Sequence, residues 1–273
     1  MTREVGMTLS QARSIGKRVL ARTPLMYRVG QLVFVRVKET LDRLVFLRSH
    51  PGAEYVHYSA RRMRELHEAG YHSQYGQDFY LWNRVLGRQE RGFYVDIGGN
   101  DPISLSNSYY LELQGWEGMA FDPLARAEAL WRRCRRADFR RAAISAEREE
   151  RAFVEMVPSQ GWEHTLSGFK EYVRDEDLRM YDHNEYLVQA APLADFLPPG
   201  QAVDIVMIDV EGAEEIVVAG TDLRRLRPRY VLVENVSRTG GGEVVRAEIL
   251  EQGYELIARI GAADDLFARV DAA

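Results

Sequence analysis

Residues 92–102 of the chain read GFYVDIGGNDP, and this stretch decides the fold. A short apolar run of β-forming residues ends in Asp96, followed closely by Gly98 and Gly99. Such a pattern is typical of a buried parallel strand that runs into a tight turn. Because glycine has no Cβ, a ligand can lie against the main chain there. The alternative is an ordinary turn whose glycines serve backbone geometry alone. A helix is predicted to follow over residues 106–114, with its N-terminus directed at the turn.

A second apolar strand over residues 118–121 ends at Asp122, which lies 24 residues after Gly98. In nucleotide-binding α/β folds, an acid at the end of the second strand, roughly 20 residues after the glycine turn, accepts hydrogen bonds from ribose hydroxyls. The spacing therefore predicts a nucleoside site between the two strand ends. The alternative is that Asp122 caps the N-terminus of the next helix.

Strands and helices alternate along the rest of the chain. Further strands are predicted over residues 139–144, 151–157, 203–209, 229–235, 254–260 and 266–270, and helices over residues 125–136, 213–219 and 243–252. This alternation predicts an α/β fold of the Rossmann-like, doubly wound kind with a mostly parallel sheet. In such a sheet the ligand lies at the carboxyl ends of the strands.

The domain organisation follows from breaks in these patterns. We predict a helical N-terminal extension over residues 1–70 and one Rossmann-like domain over residues 71–273, although the sequence His50-Pro51-Gly52 also marks a boundary. Residues 158–191 are irregular and rich in aromatic side chains. Long insertions of this kind in a compact domain are usually functional or disordered, and we interpret this one as a lid on the substrate side.

Charge is unevenly distributed. Residues 1–50 contain ten Lys or Arg and three Asp or Glu, whereas the whole chain has a net charge of -5. The basic segment predicts a peripheral membrane contact or, alternatively, an oligomer contact with a solvated basic face. The acidic remainder argues against a nucleic-acid partner. A single cysteine, Cys134, excludes an internal disulfide, and no run is apolar enough for a membrane span or a secretory signal, so a cytoplasmic setting is expected.

Six short motifs, in order and at consistent spacing, resemble those of one family. They are SQYGQD (residues 73–78), VDIGGND (95–101), SNSYYLE (106–112), GWEG (115–118), HTLSGF (164–169) and IDVEGAE (208–214). Together they resemble the FkbM-type methyltransferases that depend on S-adenosylmethionine. The family turn more often carries Gly-Ala-Asn, so Gly99 is a mild departure. Residues 1–70 have no such match.

The resemblance implies methyl transfer to a hydroxyl group of a sugar, glycolipid or polyketide-type acceptor. It places the methionine end of the cofactor at the glycine turn and the ribose at Asp122. The cofactor-binding residues that it implies are Gln77, Asp96, Gly98, Gly99, Asn100, Asn107, Asp122 and Asp209. The alternative function is a non-catalytic scaffold of the same fold that docks partners through its basic N-terminal helices.

A hydroxyl acceptor must lose its proton during the transfer, so a base or a metal ion is needed. Asp209, Glu211 and His164 are the candidate bases. Asp209 with Glu234 and Asn235 instead resembles the Mg²⁺ site of catechol-type O-methyltransferases, because all three follow strand ends and present oxygen atoms. Those enzymes also use a lysine after the first acid, and no lysine follows Lys170 here. Metal-free catalysis is therefore favoured, with Mg²⁺ as the alternative.

Overall fold

A computed structural model of the chain describes residues 40–159, 163–235, 242–261 and 264–270. The chain divides into two compact units, Met1–Pro51 and Gly52–Ala273. In the first unit, residues 40–49 are helical, and the helices that we predict upstream lie outside the described residues. The second unit begins at Gly52, so residues 52–70, which we assigned to the extension, belong to the sheet-containing unit.

Twelve strands lie in the described part of the chain. In chain order they are β1 (Glu54–Val56), β2 (Phe93–Ile97), β3 (Glu117–Phe121), β4 (Asp138–Arg140), β5 (Ala143–Ile144), β6 (Glu149–Met156), β7 (Gly168–Phe169), β8 (His183–Ala191), β9 (Ile205–Ile208), β10 (Tyr230–Glu234), β11 (Tyr254–Ile260) and β12 (Asp264–Arg269).

Besides the helical residues 40–49, eight α-helices are described, most of them short. They are α1 (Ala60–Glu68), α2 (Gln77–Tyr80), α3 (Tyr109–Leu113), α4 (Ala125–Cys134), α5 (Asp175–Met180), α6 (Glu214–Thr221), α7 (Leu223–Leu226) and α8 (Gly242–Glu251). A π-helical turn, Leu81–Val85, continues α2, and 3-10 turns cover Glu163–Leu166 and Leu193–Asp195. Within the described ranges, none of these helices has the length and apolar character needed to cross a membrane.

The main sheet has eight strands in the order β1-β11-β12-β10-β9-β2-β3-β4. Of these eight, β12 alone is antiparallel to its neighbours, β10 and β11. The mixed α/β class predicted from the sequence is thereby confirmed. From β2 the chain builds the sheet in both directions, to β3 and β4 on one side and to β9 and β10 on the other. In open α/β sheets the crevice at such a reversal, outside the carboxyl ends of the strands, is where ligands bind.

The central strands form the core because both of their faces are covered. Val95 in β2, Val206 in β9 and Val233 in β10 have no exposed surface. Val217 of α6 and Ile249 of α8 belong to the same apolar cluster. A strand buried on both faces reads as a continuous apolar run, and this is why the sequence pattern located β2, β9 and β10 correctly.

A second, four-stranded sheet has the order β5-β8-β6-β7. Strands β6 and β8 pair antiparallel over eight positions, from Glu149 opposite Ala190 to Met156 opposite His183. The segment that we predicted to be irregular therefore contains a nine-residue strand, β8. Most of its side chains are exposed or half-buried, and Leu187 is 65% exposed. Without a buried face along its length, β8 shows no clear apolar alternation.

Candidate active site at the carboxyl edge of the sheet

The strand registers align five positions along the carboxyl edge of the main sheet. In neighbouring order from β12 to β3 they are Asp264, Glu234, Asp209, Gly98 and Asp122, the last three following directly after β9, β2 and β3. The antiparallel strand β12 begins at this edge, so its first residue joins the row. Four carboxyl groups thus flank one glycine turn.

Position 98 requires glycine, because the backbone that follows β9 leaves no room for a side chain there. Its φ is +92°, and a Cβ at this position would lie 1.6 Å from the carbonyl oxygen of Asp209. A Cβ at Gly99 would lie 2.7 Å from Cζ2 of Trp131. The N–H of Gly98 donates to the carbonyl of Phe121 at 2.8 Å. Packing within the protein therefore accounts for both glycines, and their contact with a cofactor stays a prediction.

Three non-glycine residues at this edge have a left-handed backbone, with φ of +31° at Asn100, +62° at Leu105 and +57° at Glu211. Such conformations cost of order 1–3 kcal/mol each and persist where the surrounding structure holds them, often at functional sites. Two of the three residues, Asn100 and Glu211, are among the predicted site residues.

Asp122 links the end of β3 to the turn after β2 through hydrogen bonds. Its Oδ2 accepts from the N–H of Asn100 at 2.8 Å, and its Oδ1 accepts from the N–H of Leu124 at 2.8 Å. Burial raises the pKa of Asp122 to about 6, against the lowering effect of these two hydrogen bonds and of the Arg126 charge. Leu124 is the residue before α4, so Asp122 does bridge the turn and the helix start. Each carboxylate oxygen has a second lone pair, and ribose binding stays a prediction.

The side chain and the backbone carbonyl of Asn100 both accept hydrogen bonds. Its side-chain Oδ1 accepts from Nη2 of Arg126 at 2.9 Å, and its carbonyl accepts from Nε1 of Trp131 at 3.2 Å. Both partners lie on α4. The conformation of the turn after β2 is therefore set by the first and second turns of that helix, which no local pattern around residues 92–102 reveals.

Asp96 and Asn107 offer acceptor atoms near the end of β2. Asp96 is buried, and its Oδ2 accepts from the hydroxyl of Ser108 at 2.5 Å. Next to Ser108, Oδ1 of Asn107 is buried and has no hydrogen-bond partner within the described ranges. A buried acceptor without a donor is unfavourable. The two side chains therefore fit a ligand that brings N–H donors, such as the ammonium group at the methionine end of S-adenosylmethionine.

The helix predicted over residues 106–114 is shorter than expected. It begins at Tyr109, since the hydroxyl of Ser106 accepts from the N–H of Tyr109 at 3.2 Å and the hydroxyl of Ser108 turns to Asp96. The predicted start at residue 106 is therefore three residues too early, whereas the N-cap residue, Ser108, does contact Asp96 at the end of β2. The intervening residues form a loop whose serines bond to other side chains instead.

Gln77 is buried and uses both ends of its amide within the protein. Its Oε1 accepts from the N–H of Tyr75 at 2.7 Å, and its Nε2 donates to Oδ2 of Asp264 at 2.9 Å. Its place is therefore behind the carboxylate row, and its predicted contact with the cofactor is not tested. Burial and the charge of Glu234 raise the pKa of Asp264 to about 8, although the Gln77 bond opposes this.

Asp209 lies at the centre of the row and reaches solvent. Its pKa is raised well above the ordinary value, first by the protein that surrounds the carboxyl group and then by the negative charges of Glu234, Glu211 and Asp264. Asp209 is thus available to a ligand, and its neighbours make its carboxylate a stronger base than that of an ordinary aspartate.

The loop after Asp209 carries two further acids with different roles. Glu211 is half-buried and contributes to the negative charge around Asp209. Glu214 is buried, and its Oε1 accepts from the N–H of Gly212 at 2.9 Å. Because Gly212 precedes the first turn of α6, Glu214 serves the start of its own helix, as expected for an acid at this position.

The second sheet borders the same edge. The hydroxyl of Tyr186 in β8 donates to the carbonyl of Pro123, next to Asp122, at 3.2 Å. At the other end, a Cβ on Gly212 would lie 3.7 Å from Cβ of Tyr172. The backbone of His164 lies in the 3-10 turn of this region, and its side chain is outside the described residues. The part of the chain that we interpreted as a lid therefore lies beside the row of acids.

The Mg²⁺ alternative finds little support in the geometry. Nδ2 of Asn235 donates to Oδ2 of Asp265 at 2.6 Å, and a Cβ on Gly242 would lie 2.3 Å from its Oδ1. The amide oxygen of Asn235 thus faces the start of α8. In the ranges that the structure describes, no group of three or more His, Cys, Asp or Glu side chains could hold a metal ion. The Mg²⁺ alternative stays a prediction.

Sequence reasoning missed three residues of this region: Asp264, Ser108 and Arg135. The predicted last strand began at Leu266, whereas β12 begins at Asp264. Two consecutive acids at the start of an otherwise apolar strand were a usable signal, because a strand antiparallel to the others begins at the edge where they end. Ser108 lies in the SNSYYLE motif, but nothing in the sequence shows that it or Arg135 contacts Asp96, because only the tertiary structure brings these residues together.

Comparison with known proteins gives one family and two distant structures. The family model described as "Methyltransferase FkbM domain" matches residues 96–256. "Crystal structure of monomeric WbdD." is 15% identical with a TM-score of 0.37, covering 82% of this chain and 48% of that one. "Low resolution structure of WbdD with C-terminal bundle ordered to residue 505" is also 15% identical, with a TM-score of 0.37 and coverages of 71% and 34%. The chain thus spans about half or less of those proteins. No curated protein matches it significantly.

Proposed function

Because the chain belongs to the FkbM methyltransferase family, we propose that it transfers a methyl group from S-adenosylmethionine to a hydroxyl oxygen of a small-molecule or glycan acceptor. The family membership predicted from the sequence motifs is confirmed. The acceptor class and the oxygen nucleophile are our proposal. The strand order on either side of β2 further supports the doubly wound, Rossmann-like arrangement that we propose for the sheet.

The observation that carries the proposal is the environment of Asp209. This side chain is exposed at the centre of the row, between Glu234 and Gly98, and its surroundings raise its pKa well above the ordinary value for an aspartate. A hydroxyl group is far less acidic than a carboxyl group, so the stronger base is the better proton acceptor. A raised pKa therefore suits Asp209 to accept the proton of the acceptor hydroxyl.

When bound, S-adenosylmethionine supplies a methyl group on a positively charged sulfur, which an oxygen nucleophile can attack. The carboxylates of Glu211 and Glu234 attract a positive charge at this edge. Asp96 and Asn107 provide acceptors for the ammonium group, and Asp122 provides them for the ribose. The residues of the second sheet beside Pro123 and Gly212 limit the access of water to the same edge.

The test is a transfer assay with a radiolabelled methyl donor and a panel of sugars, glycolipids and polyketide alcohols. The Asp209→Asn variant is expected to lower kcat by about 10²–10⁴-fold while its affinity for S-adenosylmethionine changes little, since a general base contributes about this factor. Glu215→Gln is the matched control, because Glu215 is exposed on α6 and lies outside the row. This control should retain the parent rate.

A folded Asp209→Asn variant that turns over at the parent rate would remove Asp209 from the mechanism. Failure of the parent protein to bind S-adenosylmethionine at all would instead favour the non-catalytic scaffold. In that case the basic residues 1–50 would be the first place to look for partner contacts.

A further inference from the structure

A buried chain of hydrogen bonds links the end of α4 to the end of β2. Nη2 of Arg135 donates to Oγ of Ser108 at 3.0 Å, and Oγ of Ser108 donates to Oδ2 of Asp96 at 2.5 Å. Ser108 has no exposed surface. A serine hydroxyl has one proton, and its oxygen already accepts from an arginine that can only donate. The proton of Ser108 must therefore go to Asp96, since the other nearby oxygen, Oγ of Ser106, lies at 3.4 Å.

Arg135 is fixed in place, so it fixes the hydroxyl of Ser108 as well. Its side chain is fully buried, and all five of its N–H groups have acceptors. Besides Ser108 these acceptors are Oε2 of Glu112 at 2.9 Å, the carbonyl of Pro102 at 2.7 Å, Oγ of Ser106 at 3.4 Å and the hydroxyl of Tyr94 at 2.8 Å. The guanidinium also lies 4.2 Å from the centre of the Trp131 ring. Rotation of this group would break several bonds at once.

The charge of Arg135 is balanced by Glu112, with which it forms a buried ion pair at 2.9 Å. Asp96 is therefore left without a full countercharge. In the described part of the chain, Ser108 provides the single hydrogen bond that the Asp96 carboxylate accepts. An ionised carboxylate accepts about four hydrogen bonds in water. The structure thus holds Asp96 in one orientation and leaves most of its acceptor capacity for a ligand.

Three charged or titratable groups surround Asp96. Arg135 approaches from α4, Asp122 follows β3, and Tyr94 lies on β2 itself. Burial raises the pKa of Asp96, whereas the Ser108 bond and the Arg135 charge lower it. A proton and a cationic ligand therefore compete for the same carboxylate, and Ser108 favours the ionised form that the ligand requires.

We propose that Ser108 and Arg135 are positioning residues that orient the Asp96 carboxylate toward the ammonium group of S-adenosylmethionine. This role rests on the proposed function. It assigns the recognition of the amino-acid end of the cofactor to a hydrogen-bond relay that begins at Arg135, the residue after α4. Neither residue touches the reacting atoms.

The test compares two serines of the same loop. Ser108→Ala removes the bond to Asp96 and should raise the dissociation constant for S-adenosylmethionine about ten- to a hundredfold, the usual effect of a hydrogen bond to a charged group. Ser106→Ala is the control, because Ser106 is also buried and bonds to Arg135 but not to Asp96. Its dissociation constant should stay within about threefold of the parent value.

Two further measurements separate positioning from simple loss of structure. The first uses 5′-methylthioadenosine, which has the nucleoside but no ammonium group, and Ser108→Ala should bind it like the parent protein. The second is the pH dependence of cofactor binding. In Ser108→Ala the loss of affinity on acidification should begin at a higher pH, because the bond that lowers the pKa of Asp96 is gone. If Ser108→Ala folds poorly, Ser108→Cys takes its place in the test, because a thiol has a similar size but is a weak hydrogen-bond donor. The same loss of affinity for S-adenosylmethionine is expected.

Equal affinity of parent and Ser108→Ala for S-adenosylmethionine would overturn the positioning role. Equal weakening for 5′-methylthioadenosine and S-adenosylmethionine would overturn it too, since the defect would then not involve the ammonium group. If the parent protein binds 5′-methylthioadenosine, and Asp96→Asn binds S-adenosylmethionine as tightly as the parent does, then Asp96 does not bind the ammonium group and the positioning role is refuted as well. A parent protein that binds neither compound would refute the proposed function itself.

Discussion

The turn after β2 can be tested by adding a single methyl group. Gly98→Ala places a Cβ 1.6 Å from the carbonyl oxygen of Asp209, against a normal contact of at least 3.4 Å, so this carbonyl must move by well over 1 Å. The left-handed φ of +92° adds about 1–2 kcal/mol for any residue with a Cβ. Movement of Asp209 also endangers the bond from its N–H to the carbonyl of Ile97, at 2.9 Å, which is worth about 1 kcal/mol. We expect the free energy of unfolding to fall by about 3 kcal/mol.

Gly70→Ala is a matched control for this change. Gly70 has a similar φ of +86° after α1, but a Cβ there would meet nothing within 4 Å. This variant should lose only the backbone term, about 1–2 kcal/mol. Both values come from urea unfolding followed by circular dichroism, and methyl transfer is measured alongside. Gly98→Ala should also lose turnover, because Asp209 is displaced, whereas Gly70→Ala should not. Equal destabilisation by the two variants, with turnover intact in both, would refute the contact between the turn and β9.

Three other predictions address the same edge and the domain boundary. The pKa of Asp122 is raised from 3.8 to about 6, so its contribution to stability is fully present below pH 3.8 and is lost as the pH rises through 6. The free energy of unfolding of the parent relative to Asp122→Asn should therefore fall by about 3 kcal/mol between these two pH values. If urea titrations show no such change, the burial of this carboxyl group is contradicted. EDTA should leave turnover unchanged if a carboxylate acts as the base, whereas loss of turnover that Mg²⁺ restores would favour the metal alternative, with Asp209, Glu234 and Asn235 as the candidate ligands. A chain that begins at Gly52 should fold and bind S-adenosylmethionine, because every cofactor motif lies beyond this boundary. A folded chain without binding would contradict this domain assignment.

The sequence was sufficient to predict the elements that are buried on both faces. Strands β2, β9 and β10 are short apolar runs that end in polar residues, and this signal does not depend on the rest of the protein. The predicted third strand, residues 139–144, is in fact divided between the two sheets as β4 and β5. A turn in which the N–H of Ala142 donates to the carbonyl of Arg140 separates them. Apolar content alone could not show that one run serves two sheets.

The site was predictable only where it follows from strand ends. Asp122 and Asp209 follow apolar strands, so their place at the carboxyl edge could be inferred. By contrast, the orientation of Asp96 depends on Ser108 and Arg135, which are 12 and 39 residues away from it in the sequence. Glycines that were expected to admit a ligand turned out to be required by the Asp209 carbonyl and the Trp131 ring. Contacts between distant segments, rather than local patterns, decide such details.

The most direct test of the account is an isothermal titration of the full chain with S-adenosylmethionine, followed by the same titration of Asp96→Asn. The account predicts one site per chain in the parent protein and an affinity about ten- to a hundredfold weaker in the variant, since a charge-assisted contact to the ammonium group is lost. An absence of binding by the folded parent protein would contradict the proposed use of this cofactor. Equal binding by the two proteins would show that the cofactor does not lie against the end of β2.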